Sequence, residues 1–186
     1  MNARFNFSDS IKLIKNIKTS GTITPSSKIL IDHLLAPINF AKARRIVELG
    51  PGNGCVTSQL LECMSKDATL ICLEVNNDFV SKLNQFPDER LQVYNACAAN
   101  LHSIIHSLDM ECVDYVVSSL PLALIADDTV DSILENVSNS LCPQGRFLQY
   151  QYSLAHYGNL KKLFKHVKLR FTLRNMPPAF IYECSN

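Results

Sequence analysis

The stretch Val47-Glu48-Leu49-Gly50-Pro51-Gly52-Asn53-Gly54 constrains this chain more than any other. Arg45 to Leu49 is a short apolar run of strand type, and Val56 to Met64 carries the spacing of a helix. Glycine at every second position between them implies a backbone that turns sharply and comes close to a ligand. A strand that ends in such a loop and opens a helix presents free N–H groups, and the positive end of the helix dipole, to an anionic group. Two common versions are excluded. A dinucleotide fingerprint, GxGxxG, needs glycine at position 55, where the chain has Cys55, and the Gly-Lys-Ser/Thr ending of a phosphate loop is absent.

An acid at the strand end followed by Gly-x-Gly-x-Gly is instead the form that suits S-adenosylmethionine (SAM). Glu48 would answer its ammonium group and the helix N-terminus its carboxylate. Glu74 closes the next apolar run, Thr69 to Val75, twenty residues after Gly54. A carboxylate there can accept both ribose hydroxyls. The expected cofactor set from these two stretches is Glu48, Gly50, Pro51, Gly52, Asn53, Gly54, Glu74 and Val75. S-adenosylhomocysteine would be the product.

Around this loop the chain alternates strand and helix signals. Thr24-Pro25-Ser26-Ser27 starts a helix, with a capping hydroxyl and proline in the first turn, that runs to about Leu35. Further helices are expected over Asp78 to Gln85, Thr129 to Leu141 and Leu160 to His166. Strands are expected over Leu91 to Asn95, Val113 to Ser118, Arg146 to Tyr152, Lys168 to Arg174 and Ala179 to Glu183. The fold class that follows is α/β: a Rossmann-like, doubly wound, mostly parallel sheet with one antiparallel C-terminal edge strand, preceded by N-terminal helices. No linker interrupts residues 1–186, so one domain is expected.

Composition narrows the function. No stretch reaches the roughly 18 uncharged apolar residues of a membrane span. The N-terminus lacks a signal-type apolar core, so a cytoplasmic location is expected. The seven cysteines form no CxxC pair and no metal-ligand spacing, which reads as reduced core cysteine and no metal site. Net charge is +1, yet the charge is segregated. Residues 1–45 hold eight Lys/Arg against two Asp/Glu, residues 46–145 hold three against fourteen, and residues 146–186 hold seven against one. A basic amphipathic helix is expected within residues 1–20, in which Phe7, Ser10, Ile11, Leu13, Ile14 and Ile17 would share a face and Lys12, Asn16 and Thr19 would lie opposite, with Lys15 at the border. It can lie in an anionic membrane surface or pack on the domain. Lys161, Lys162, Lys165, Lys168 and Arg170 form a second basic region, open to lipid phosphates or to water alone.

Four motifs together resemble the bacterial phospholipid N-methyltransferases, which methylate phosphatidylethanolamine and are related to the ribosomal RNA adenine dimethylases. They are Gly21-Thr22-Ile23-Thr24-Pro25-Ser26-Ser27, the loop Glu48 to Gly54, Ser118-Ser119-Leu120-Pro121-Leu122 and Arg174-Asn175-Met176-Pro177-Pro178-Ala179. The resemblance adds Thr24, Ser26, Ser27, Cys97, Ala98 and Ser118 to the cofactor site and makes Ser118, Ser119 and Leu120 the active-site turn. It also implies a phospholipid substrate and peripheral association with the inner face of the membrane. Tyr150 or Tyr152 would meet the headgroup, with Tyr152 the preferred candidate. One departure stands out: Cys97 occupies a position that usually carries Asp toward the adenine amino group, and a thiol is a poor acceptor. The Ala98 N–H remains to bind the ring.

Two other functions stay open. A ribosomal RNA adenine N6-methyltransferase would need a ring to stack on a flipped base. Leu122 stands where that aromatic would be, which argues against a nucleic-acid partner. A SAM-binding protein with lost or weak catalysis is the reading that Cys97 allows.

Overall fold

The computed structural model describes residues 28–172 and 178–186. The helix expected over residues 1–20 and Thr24, Ser26 and Ser27 lie outside the described residues, as does most of the Arg174–Ala179 motif.

Helix α1 (Lys28–Leu35) precedes β1 (Arg45–Leu49), α2 (Cys55–Cys63), β2 (Thr69–Glu74), α3 (Asn77–Leu83) and β3 (Leu91–Asn95). Then come α4 (Leu101–Ser107), β4 (Val113–Ser118), α5 (Asp127–Ser140), β5 (Leu141–Gln151), α6 (Tyr157–Leu163), β6 (His166–Thr172) and β7 (Ala179–Ser185). The strands form one sheet in the order β3-β2-β1-β4-β5-β7-β6. The first five are parallel, and β7 runs antiparallel to both β5 and β6.

Strands β1, β2 and β4 are buried on both faces, as their unbroken apolar runs require. Val47, Leu49, Ile71, Val116 and Phe147 pack in one layer with residues of α4, α5 and α6. Ile46, Leu70, Cys72, Val117 and Leu148 pack in the other, with residues of α1 and α2. Strand order reverses beside β1, whose neighbours are β2 and β4. The loops at the carboxyl ends of β1 and β4 therefore part and leave a crevice, the place where open α/β sheets bind ligands.

Three features depart from the sequence reading. The antiparallel strand is not the edge: β7 lies between β5 and β6, and β6 forms the rim. Helix α4, between β3 and β4, has too short an apolar pattern to stand out in the sequence. Strand β5 starts at Leu141, before the expected Pro143-Gln144-Gly145 turn, because those residues form a bulge instead. Leu141 pairs with Val113 and Arg146 with Tyr115, so β5 carries the surplus residues. Gly145 sits at the tightest point, where an added Cβ would come to 3.0 Å of both Cys142 and the Val113 carbonyl.

The bulge brings Cys142 to Cys112, and the two are joined in a disulfide with their Cα atoms 4.9 Å apart. Thirty residues separate them, so their pairing has no local signature, and the expectation of seven reduced cysteines is corrected at this pair. Cys55, Cys63, Cys72, Cys97 and Cys184 are free. Alkylation of the denatured, unreduced protein is expected to label five thiols, rising to seven after reduction. Seven labels without reductant would remove the bridge.

Candidate active site

The loop after β1 is held by its own glycines. Gly50, Gly52 and Gly54 have φ of 69°, 56° and 83°, the left-handed region that other residues rarely enter. Gly50 N–H donates to the Leu73 carbonyl at 3.0 Å, and Gly54 N–H to the Pro51 carbonyl at 3.0 Å. A Cβ on Gly50 would press to 2.6 Å of Leu120 Cδ2, and one on Gly54 to 2.9 Å of Phe86. Both positions thus need glycine for close approach as well as for φ. A Cβ on Gly52 would meet nothing within 4 Å, so this point of the loop faces open space.

Glu74, at the end of β2, is 8% exposed and ties the loop down. One carboxylate oxygen accepts the Gly52 N–H at 3.0 Å, and the other accepts the Asn76 N–H at 2.9 Å. Each oxygen keeps further acceptor capacity. Beside it, Val75 is 67% exposed, an apolar side chain presented to solvent at the mouth of the crevice. Ala98 is buried and Cys97 half-buried where β3 leads into α4.

Glu48 is placed differently from the loop it precedes. It is fully buried, and its Oε2 accepts the Thr57 hydroxyl at 2.7 Å and the Cys72 thiol at 3.6 Å. Its Oε1 has no partner. Burial pushes the carboxyl up to about 7, against the lowering effect of the Thr57 and Cys72 hydrogen bonds, and the charge of Glu74 adds to the rise. Pro51 and Asn53 sit within the loop between the glycines.

The turn after β4 closes the crevice from the other side. Ser119 N–H donates to the Leu49 carbonyl at 3.0 Å, extending the β1–β4 pairing past Ser118. Ser118 is buried, and its Oγ accepts the Leu120 N–H at 3.3 Å. Pro121, at φ −78° and ψ 73°, is the centre of an inverse γ-turn, with Leu122 N–H donating to the Leu120 carbonyl at 2.9 Å. Leu122 is 1% exposed and packs in the core. Tyr150 and Tyr152 stand edge to face, ring centroids 5.9 Å apart, on the side of the sheet that carries α1 and α2.

Two residues here escaped the sequence reading. Gln149 and Gln151 project from β5 on the face of Phe147, and both donate to the Leu120 carbonyl, at 3.0 and 2.7 Å. The signal was present: strand alternation sets Phe147, Gln149 and Gln151 on one face, so two polar residues continue an inward row. Gln149 also donates to the Tyr150 carbonyl at 2.7 Å and keeps a buried, unpartnered Oε1. A bare buried acceptor of this kind costs roughly 1–3 kcal/mol.

A glycine loop at a topological switch point, an acidic strand end beside it and a proline turn facing it define a class I, SAM-dependent methyltransferase. The comparisons agree. Residues 6–156 match the model of the ribosomal RNA adenine dimethylase family, and the chain belongs to that family. It is 28% identical over 176 residues to an ornithine lipid N-methyltransferase of Singulisphaera acidiphila, covering 93% of this chain and 92% of that one. Among solved structures, its fold is like that of a precorrin-6y C5,15-methyltransferase from Geobacter metallireducens, with a TM-score of 0.65 at 13% identity. That match covers 85% of this chain and 88% of the other. It is also like human methyltransferase-like protein 13 in complex with S-adenosylhomocysteine, with a TM-score of 0.59 at 17% identity over 82% of this chain and 74% of that one. The protein is a SAM-dependent methyltransferase.

Proposed function

We propose that this enzyme methylates the amine of a membrane-lipid headgroup, phosphatidylethanolamine being the acceptor that the sequence motifs favour. The observation that carries the proposal is the turn after Pro121. A flipped base needs an aromatic face to stack on. Leu122 stands in that position, and it is aliphatic and buried in the core. A flexible headgroup amine makes no such demand. The lipid relative, similar along nearly the whole chain, supports the same reading and widens the acceptor class to ornithine lipid.

The site fits the cofactor. Glu74 has acceptor capacity left for ribose hydroxyls, Val75 offers an exposed apolar surface for the adenine, and the space over Gly52 admits a ligand to the loop. Gly50, Pro51, Gly52, Asn53, Gly54 and the first turn of α2 would hold the amino-acid end, with Glu48 beneath them. Ala98, with Cys97 before it, would flank the ring through backbone groups. Thr24, Ser26 and Ser27 stay in the cofactor set on the strength of the family motif alone. When bound, SAM supplies a methyl group already activated on a sulfonium, so the chain needs no nucleophile of its own. Ser118, Ser119 and Leu120 would position the acceptor, and Tyr152 would border it. The acceptor amine must arrive neutral; its ordinary pKa lies near about 10, so transfer is expected to accelerate as pH rises toward that value.

A lipid substrate calls for a surface that meets a membrane. Among the described residues no helix is long and apolar enough to cross one. Peripheral contact is supported by the rim at β6. Phe171 is paired through Phe180 with the end of β5, level with the active-site turn. Phe171 is 54% exposed, and Leu154 and Leu169 are exposed too. Lys161, Lys162, Lys165, Lys168 and Arg170 lie in the same region of chain. Along β6, Lys168 and Arg170 alternate with Leu169 and Phe171 and so project from the opposite face, where both pair with Glu183. Exposed apolar side chains on one face of the rim and cations on the other and in α6 suit an anionic interface, a basic residue near such a surface adding about 1 kcal/mol.

The test is transfer of labelled methyl from SAM to vesicles containing phosphatidylethanolamine or ornithine lipid among anionic lipids, with ribosomal RNA as the competing acceptor. Methylated lipid and unlabelled RNA are expected. Label in RNA alone would replace the lipid reading with base methylation.

A further inference from the structure

The Leu120 carbonyl is the most heavily used acceptor of the active-site turn. It receives three N–H groups: Leu122 from the γ-turn at 2.9 Å, Gln149 at 3.0 Å and Gln151 at 2.7 Å. A carbonyl oxygen has two lone pairs, so none of its capacity is left for a substrate. The Leu120 N–H is taken as well, by Ser118 Oγ. Pro121 has no N–H to offer. The Leu120 side chain, meanwhile, sits against the Cα of Gly50, where any Cβ would collide with it. Of the turn's side chains, Ser119 alone keeps a buried polar atom without a partner, its Oγ.

Neither glutamine is explained by packing. Gln149 is wholly buried and Gln151 nearly so, in a row begun by Phe147. An apolar side chain of equal length would fill the same space and leave no bare oxygen behind. What the glutamines have in common is the single atom to which both donate.

We infer that Gln149 and Gln151 are positioning residues for methyl transfer. They hold the Leu120 carbonyl inward and the Leu120 side chain against the glycine loop, and so fix the turn that faces the acceptor. The kcat readout below rests on the amine-acceptor reading above; the clamp on Leu120 does not.

The test compares wild type with the Gln149→Met/Gln151→Met double variant, which keeps side-chain length and removes both donors. Three quantities are measured: SAM affinity by calorimetry, amide hydrogen exchange at Leu122, and kcat and KM on phosphatidylethanolamine vesicles. For the double variant, SAM affinity is expected to stay within about twofold while Leu122 exchange quickens roughly tenfold as the turn loosens. Its kcat should fall at least about tenfold with lipid KM little changed, the pattern of an interaction that acts in the transition state. Unchanged exchange overturns the clamp. Loss of SAM affinity together with kcat overturns it too, because the glutamines would then be general core support. If wild-type protein methylates no phosphatidylethanolamine, that substrate reading falls, and exchange alone decides the clamp.

Discussion

Replacing Glu74 by alanine is expected to weaken SAM binding at least about a hundredfold, with the protein still folded. The estimate takes the lower end of about 1.5–3 kcal/mol for each of two ribose hydroxyls that would donate to a charged acceptor. A second loss compounds it. The Gly52 N–H, held at 3.0 Å by the same carboxylate, is released, and the loop loses its tie to β2. Glu74→Gln retains one oxygen acceptor and should fall between the two. Calorimetric titration with SAM and with S-adenosylhomocysteine measures the effect, and thermal melting of the cofactor-free variant checks the fold. An affinity within about threefold of wild type would remove Glu74 from the binding set, since even one lost charged hydrogen bond exceeds that factor.

Glu48 carries the second large effect, on stability rather than binding. Its carboxyl is held at about 7 in the folded protein, against an ordinary 4.5, because burial disfavours the charge. The folded state therefore holds this proton more tightly than the unfolded chain does. The stabilisation is complete below about pH 4.5 and is lost as pH rises through about 7, amounting to about 3 kcal/mol for a shift of this size. In Glu48→Gln the carboxamide oxygen can still accept the Thr57 hydroxyl, and no charge forms at any pH. Without cofactor, the variant and the wild type should be similarly stable near pH 4.5. At pH 8 the variant should be more stable by about 3 kcal/mol, since only the wild type must bury a carboxylate. Urea unfolding of both proteins from pH 4.5 to 8 measures the difference. Parallel curves would mean that Glu48 ionises as an ordinary surface acid would.

The proposed cofactor loop would account for such a buried acid. One that costs stability above neutral pH, with one oxygen unpartnered, would have its ionised form favoured by a cationic ligand group. This is also where the sequence pattern and the structure divide the work. The spacing of Glu48 and the glycines announced a ligand loop. The depth of Glu48, and its contacts with Thr57 and Cys72, came only with the packing of α2 and β2 around it.

The same division runs through the molecule. Local patterns determined the strands β1 to β4, the glycine loop, Glu74 at its strand end and the proline turn, because each is written in consecutive residues with a period or a special φ. Tertiary structure decided the rest. Cys112 meets Cys142 across thirty residues through a bulge in β5. β7 inserts between β5 and β6 and leaves Phe171 on an exposed rim. Gln149 and Gln151 reach a carbonyl 29 and 31 residues away. Hydrogen bonds and burial of this kind depend on which strands become neighbours. That choice is made by the whole apolar core closing at once, and no short window of sequence contains it.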